Sequence, residues 1–328
     1  MSNLDFSEVV YVKVSGQYDG QRLDNFLIRI LKNVPKSRIY NLIRKGEIRI
    51  NKGRCKADSR LTMDDIIRIP PIRSIRNNEN PVVSNSLKKY ISENILFEDK
   101  DLLVFNKPSG LAVHGGSGIS MGVIEAFRSL RKSDEYLELA HRIDKDTSGL
   151  VVVAKNNKTH EKLSSQFNDH TIKRVYQALV WGKLRPQTGR IETLITRSSK
   201  NRQLMEVGLT KGKNAITNYK TLEIFENDKI PTFSLIECRL ETGRTHQIRV
   251  HMSYKGNNIL GDKKYKKKFK KFRNINDDLK NLILKLDRQF LHAKTLGFTH
   301  PSKNKEVEFT SKLPQDLNTL LKKLRNSK

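Results

Sequence analysis

Cysteine is nearly missing from this chain: Cys55 and Cys238 are the only two in 328 residues. They stand far apart and no C-x-x-C spacing occurs, so neither a disulfide framework nor a thiolate zinc site is expected. Both read as reduced thiols in a reducing compartment. Long apolar runs are missing too. No stretch approaches the roughly 20 residues a membrane helix needs, and the N-terminal residues, with Asp5 and Glu8, lack the apolar core of a secretory leader. A soluble, cytoplasmic protein is expected. Coiled-coil heptads are also lacking, and with them any obvious route to self-association, so a monomer is expected. Acids are scarce relative to bases: 35 Asp+Glu against 63 Lys+Arg, a formal charge of +28. Such a surplus favours a polyanionic partner, because each neutralised phosphate releases condensed counterions. A genome biased toward Lys, Asn and Ile would produce a similar surplus, so charge alone does not identify that partner.

Hydrophobic periodicity organises the rest. Val9, Val10, Val12 and Val14 suggest a short strand inside an N-terminal extension over residues 1–20. Leu23, Phe26, Leu27, Ile30 and Leu31 fall at helical spacing, and Pro35 ends that segment. Ser37 stands where an N-cap would open a second helix carrying Ile39, Leu42 and Ile43, and Gly46 would close it. Ile48 and Ile50 alternate toward the turn chemistry of Asn51-Lys52-Gly53. Ile66, Ile67 and Ile69 make another strand. Residues 21–70 thus form a small helix–helix–hairpin unit. Residues 71–90, with Pro71, Arg73, Arg76, Pro81 and several Asn and Ser, read as a linker. From 91 to 328 strands dominate, at 102–105, 151–154, 175–181 and 233–240. A helix carries Val123, Ile124, Phe127 and Leu130, and a closing helix carries Leu317, Leu320, Leu321 and Leu324. Few clean strand–helix–strand units appear, which predicts a mixed α+β fold on a largely antiparallel sheet.

Four segments carry the chemistry. The densest is His141-Arg142-Ile143-Asp144-Lys145-Asp146-Thr147-Ser148-Gly149, set against the buried-strand run Val151-Val152-Val153-Ala154. It resembles the H-R-[LI]-D-x-x-T-S-G signature of RNA pseudouridine synthases. Asn106-Lys107-Pro108 with Gly110-Leu111, Lys173-Arg174-Val175-Tyr176-Gln177-Ala178-Leu179-Val180, and Thr242-Gly243-Arg244-Thr245-His246-Gln247-Ile248-Arg249-Val250-His251 resemble three further elements of that family, in its order. The 21–70 unit resembles the S4 RNA-binding domain through Arg22-Leu23-Asp24, Ser37-Arg38, Lys45-Gly46 and the Ile-x-Ile-Asn strand. Together the resemblances run from about residue 10 to residue 325. Val113-His114-Gly115-Gly116-Ser117-Gly118 looks most like the branch that modifies several uridines of large-subunit (23S) ribosomal RNA.

The resemblance implies a pseudouridine synthase fold behind a small S4-like α/β domain, and isomerisation of uridine to pseudouridine without redox cofactor or metal. It implies that Asp144 is the catalytic carboxylate, that Arg249 pairs with it, and that Arg142 aids extrusion of the base. It places Tyr176 as the stacking partner of the uracil; Ile248 and Val250 are expected in the same pocket. RNA phosphates would meet Arg22, Lys36, Arg38 and Arg44, and also Lys266, Lys267 and Lys268. Those three lie in a run over 263–273 with eight basic residues and the rings Tyr265, Phe269 and Phe272. Self-repulsion should keep that run extended or disordered when free, and its rings suit base stacking.

Blander readings compete at several positions. Asp144 in isolation reads as a turn residue, and Asp146, Thr147 and Ser148 are assigned to turn structure. His141 is expected to fix the loop rather than act as a base. His246 and His251 are five apart, unlike the i, i+4 pair of H-E-x-x-H, so no metal is expected. A non-catalytic ribosome-assembly factor of the same fold, or a relative acting on another ribosomal or transfer RNA site, are the alternatives. With 6–10 phosphates contacted, affinity for ribosomal RNA should fall by about 10³- to 10⁵-fold between 50 and 200 mM salt. Filter binding across that range would measure it; a flat response would contradict the electrostatic reading.

Overall fold

The structure is a computed structural model that describes residues 6–31, 34–72, 83–115, 121–131, 135–201, 203–228, 230–265 and 277–327. Contacts within the chain separate two units. The first comprises Met1–Leu103, His114–Ala140 and Val152–Ser164; the second comprises Val104–Val113, His141–Val151 and Ser165–Lys328.

In the first unit the helices Leu23–Ile30 and Lys36–Lys45 accompany a four-stranded sheet ordered Val10–Lys13, Ile66–Ile69, Arg49–Ile50, Gly53–Arg54. The helical spacing read from sequence is the buried face: Leu23, Phe26 and Leu27 on one helix, Ile39, Leu42 and Ile43 on the other. Ser37 is not the N-cap. Pro35 holds that place, and its carbonyl accepts from Arg38 N at 2.9 Å and Ile39 N at 3.2 Å, so the helix opens earlier. Gly46 closes the helix at φ 73°. Asn51 and Lys52 take φ 47° and 67°, a two-residue hairpin turn whose twist suits the flanking strands. The helix Asn85–Glu93 begins within the expected linker, with Ser84 Oγ accepting from Leu87 N.

One packing feature of this unit has no local signature in the sequence. Tyr136, from far along the chain, is part of the core built by Val12, Tyr18, Phe26 and Ile67. Its ring and that of Tyr18 each lie 5.2 Å from the Arg29 guanidinium. Tyr136 Oη donates to Asn157 Oδ1 at 3.2 Å, Asn157 Nδ2 donates to the Asp19 carbonyl at 2.7 Å, and Arg60 pairs with Glu161 at 2.8 Å. Long-range contacts of this kind tie Tyr136, Asn157 and Glu161 to the N-terminal fold.

The second unit is a mixed sheet. Its strands follow the order Met205–Gly208, Thr188–Arg197, Lys213–Asn227, Ile230–Leu240, Lys173–Trp181, Leu291–Thr299, and then the strand Ser148–Ala154, of which the residues up to Val151 belong to this unit. All neighbours in that series are antiparallel except the last pair, which is parallel. The run after Ser148 is buried at every residue, as an apolar stretch bounded by turn residues suggests. The closing helix Gln315–Arg325 buries Leu317, Leu320, Leu321 and Leu324, the face its periodicity marks. Among the described residues no helix is long and apolar enough to cross a membrane.

Gly149 is where this sheet is tightest. It sits at φ 116°, and a Cβ there would lie 2.2 Å from the Ala293 carbonyl oxygen. Only a residue without a side chain lets Leu291–Thr299 approach, and that approach sets the register Ser148↔His292 and Gly149↔Ala293. Gly149→Ala should therefore destabilise the protein by at least about 2 kcal/mol, through backbone strain and a backbone clash. Urea denaturation measures this, and an unchanged midpoint would contradict the packing described.

Candidate active site

Asp144 stands in the loop that enters the buried strand Ser148–Ala154, and the loop is held from several sides. The buried Lys107 donates from Nζ to the carbonyls of Pro108, Leu111 and Lys145 at 2.7–2.9 Å. Burial pushes its amine down to about 7, with Asp146 and Asp144 opposing that shift. Thr147 Oγ1 accepts from Gln289 Nε2 at 3.1 Å, and Ser148 Oγ accepts from Arg288 Nη1 at 3.2 Å. Arg288 is itself forked onto Asp316 at 2.6 and 2.9 Å. His292 joins Ser148 Oγ to Ser311 Oγ through its two ring nitrogens. Thr147 and Ser148 thus carry the turn, as their residue types suggested. The Asp144 side chain is not needed for it: only its backbone carbonyl takes part, accepting from Thr147 N at 3.1 Å.

The side chain of Asp144 points instead to Arg249, whose Nη1 donates to Asp144 Oδ2 at 2.8 Å. The pair inferred from the family pattern is brought together from 105 positions apart. Asp144 Oδ1 accepts from no described residue, and the side chain keeps 18% of its surface exposed.

Arg249 is placed by the helix Gln247–Tyr254. Its entry is fixed by Gln247, whose Oε1 accepts from Thr242 Oγ1 and Arg244 N at 2.8 and 2.9 Å. Gln247 Nε2 donates to the Ile216 carbonyl and Thr217 Oγ1. His246 precedes the helix in the left-handed region at φ 57°, and so turns its ring toward Asp144, with Nε2 3.9 Å from Oδ2. Burial lowers the His246 pKa, with the Asp144 charge opposing. His251 is bonded to Thr217 and Thr193, and burial pushes it down to about 4.

A second carboxylate completes the arrangement. Arg249 Nε and Nη2 donate to Asp262 Oδ2 and Oδ1 at 2.7 and 2.9 Å. Burial alone would raise the Asp262 pKa; the Arg249 hydrogen bonds overcome this and hold it below the ordinary carboxylate range. Burial works against the Arg249 charge as well, but Asp262 and Asp144 together raise its pKa. Tyr265 lies with its ring 5.1 Å from the guanidinium and its hydroxyl 2.8 Å from His246 Nδ1.

Tyr176 lies on the strand Lys173–Trp181 with its ring buried. Burial pushes its hydroxyl up to about 12, and among the charges that act on it is Asp144. The hydroxyl bonds to no described residue. Ile248 is buried next to Arg249, whereas Val250 packs against Ile195 and Ala215, with Tyr265 alongside. Arg142 is exposed and pairs with no described residue. His141 stacks on Phe167 at 4.6 Å, and burial pushes it down to about 3.

In the first unit Lys36, Arg38 and Arg44 are exposed, and Arg22 is forked onto Asp24, which also accepts from Tyr40 Oη. Lys266, Lys267 and Lys268 lie outside the described residues. The start of their run, residues 263–265, is folded, whereas an extended or disordered run was expected. Asp262 Oδ1 accepts from Lys264 N at 2.9 Å and Tyr265 N at 3.2 Å, which folds Tyr265 into the site.

Sequence reasoning missed Asp262, and missed Tyr265, His246 and Lys107 in these roles. A faint signal was present: Gly261-Asp262 directly follows the apolar Ile259-Leu260, an acid at the end of a run that burial would be expected to claim.

A carboxylate with one oxygen restrained and the other free, beside a buried aromatic ring, is equipped to act as nucleophile or base. Comparison with known proteins agrees with this chemistry. The RNA pseudouridylate synthase family matches residues 101–254, and the S4 domain matches residues 21–67. The ribosomal large subunit pseudouridine synthase C of Haemophilus influenzae is 41% identical over 326 residues, covering 98% of this chain and 97% of the relative. The protein of that name from Escherichia coli is 39% identical, with 98% of each chain covered. Among solved structures, human RNA Pseudouridylate Synthase Domain Containing 4 superposes with a TM-score of 0.59 at 26% identity, covering 74% of this chain and 96% of that one. The chain belongs to the RNA pseudouridylate synthase family and carries an S4 domain. It is an isomerase that acts on RNA.

Replacing Arg249 by Met strands two carboxylates, one of them buried. The cost should be about 3–5 kcal/mol near neutral pH. The depressed pKa of Asp262 fixes the sign of the pH dependence. Its contribution is fully present above the ordinary carboxylate value, about 4, and is lost as pH falls through the lower folded value. The stability gap between wild type and Arg249→Met should therefore narrow in acid. Urea titrations at pH 7 and pH 3 test this; a gap that widened in acid would contradict it.

Proposed function

We propose that this enzyme converts specific uridines of large-subunit ribosomal RNA to pseudouridine, with Asp144 as the reacting carboxylate. The relatives named above are ribosomal large-subunit enzymes, similar to this chain over nearly its whole length. The observation that carries the role of Asp144 is its geometry: Oδ2 is tethered to Arg249 at 2.8 Å while Oδ1 is unbonded and the side chain is reachable.

The reaction breaks the N1–C1′ bond, turns the base over and joins C5 to C1′. The C5 proton leaves and N1 gains one, so the isomerisation needs no oxidant and no donor group. Asp144 acts at the sugar–base junction as nucleophile or base. Its charge must survive in a partly dry site, and Arg249 supplies the opposing charge. The target base is stacked in folded RNA and must be extruded. Arg142, exposed and unpaired among the described residues, is placed to fill the vacated space and hold the backbone. Tyr176 offers a buried ring for the uracil, a stack worth about 1–3 kcal/mol. Ile248 adds apolar wall, and Val250 supports the helix from its core side. Water must be kept out while base and sugar are apart, and an apolar pocket with few polar groups does this.

Residues 21–70 serve as the RNA-binding domain, through Lys36, Arg38 and Arg44 and, less freely, Arg22, whose charge Asp24 shares. Lys266, Lys267 and Lys268, within the catalytic domain of 91–328, contribute phosphate contacts. The protein works as a monomer in the cytoplasm, where its substrate is made.

The test uses unmodified large-subunit ribosomal RNA, with pseudouridine mapped by carbodiimide-blocked reverse transcription. Wild type should produce stops at defined uridines. Asp144→Asn should lower the rate by about 10³-fold or more while RNA binding persists. Binding without any stops by wild type would favour an assembly factor instead.

A further inference from the structure

Arg249 serves two carboxylates, and the sharing is unequal. Asp262 takes the Nε–Nη2 edge at 2.7 and 2.9 Å, whereas Asp144 receives a single bond from Nη1 at 2.8 Å. Asp262 is also the deeper of the two, with 1% of its side chain exposed against 18% for Asp144. Its carboxylate is itself immobilised, since Oδ1 also accepts from Lys264 N and Tyr265 N. Tyr265 then covers the guanidinium, its hydroxyl held by Met205 N at 2.9 Å and by His246. A guanidinium prefers to meet a carboxylate with a two-pronged edge. Here the Nε–Nη2 edge is committed to Asp262, which fixes the rotation of the guanidinium, and Asp144 meets only its Nη1 end.

We propose that Asp262 is a positioning residue: by holding the Nε–Nη2 edge of Arg249, it fixes the guanidinium in an orientation in which only Nη1 meets Asp144, and leaves Asp144 Oδ1 open to the uridine. This rests on Asp144 being the reacting carboxylate. Without Asp262, the guanidinium turns and forks onto Asp144 through its Nη1–Nη2 edge, engaging both of its oxygens and leaving Nε without its carboxylate. The reacting oxygen is then occupied in the ground state, and the charge of Arg249 is misplaced for the transition state.

The experiment compares Asp262→Asn with wild type and Asp144→Asn, all as full chains, on a transcript of large-subunit ribosomal RNA. Asp262→Asn should lower kcat by about 10- to 100-fold, the scale of a misplacement near 1 Å. KM and RNA affinity should stay within about twofold. A second readout follows the Arg249 side chain directly. Its Nε–H resonance, identified by its loss in Arg249→Lys, should be protected from solvent exchange in wild type. It should persist in Asp144→Asn and disappear in Asp262→Asn. If Asp262→Asn does not fold, Asp262→Glu, which keeps the charge but displaces the fork, should show the same kcat loss at retained KM. Wild-type kcat in the Asp262 variants, a loss confined to KM, or an Nε–H signal that depends equally on Asp144 would each overturn the proposal. Full turnover by Asp144→Asn would overturn the assignment of Asp144 instead, and the resonance would still report whether Asp262 holds Arg249.

Discussion

The second unit depends on one cation held between two acids. Arg249 is almost fully buried, and a buried guanidinium is costly unless its donors are matched and its charge is opposed. Asp262 supplies the matching: two short hydrogen bonds from a carboxylate that is buried itself. Asp144 completes the balance from the more exposed side. Three charges that would each be unfavourable alone become a unit that is costly to break. Because Asp144 lies 105 positions before Arg249, the unit also locks the helix Gln247–Tyr254 and the loop before Ser148 to one another.

Around this unit, polar side chains are spent on geometry. Gln247 sets the start of the arginine-bearing helix, Lys107 gathers three carbonyls beneath the Asp144 loop, and Arg288 with His292 anchors Ser148. A carboxylate that must act at a defined atom gains from neighbours whose own rotamers are already fixed. Gly149 makes the same point at the backbone, since the loop could not meet the sheet in this register with any side chain there.

The first unit follows the other logic open to an RNA enzyme. Its basic residues Lys36, Arg38 and Arg44 stay exposed, while its apolar faces close a small core. A domain of this size has little core to spare. Tyr136, the Arg29 contact with two rings, and the Asn157 bonds extend that core with residues from much later in the chain.

Local pattern was enough to read many of the elements, whereas Asp144, a turn residue in isolation, was singled out by the family resemblance. Helical spacing marked the faces of Leu23–Ile30, Lys36–Lys45 and Gln315–Arg325, because apolar burial imposes its period on sequence. The cluster around Asp144 stood out because charged and polar side chains crowd a short loop there and match the family signature. What tertiary structure alone decided was partnership. Nothing in the sequence pairs Arg249 with Asp262 rather than with another acid, brings Tyr136 to Arg29, or turns the start of a lysine run into a wall of the site through Tyr265. Those outcomes depend on which surfaces meet once the sheet has formed, and the free energy of a buried charge or ring is set by neighbours that the linear order of residues does not specify.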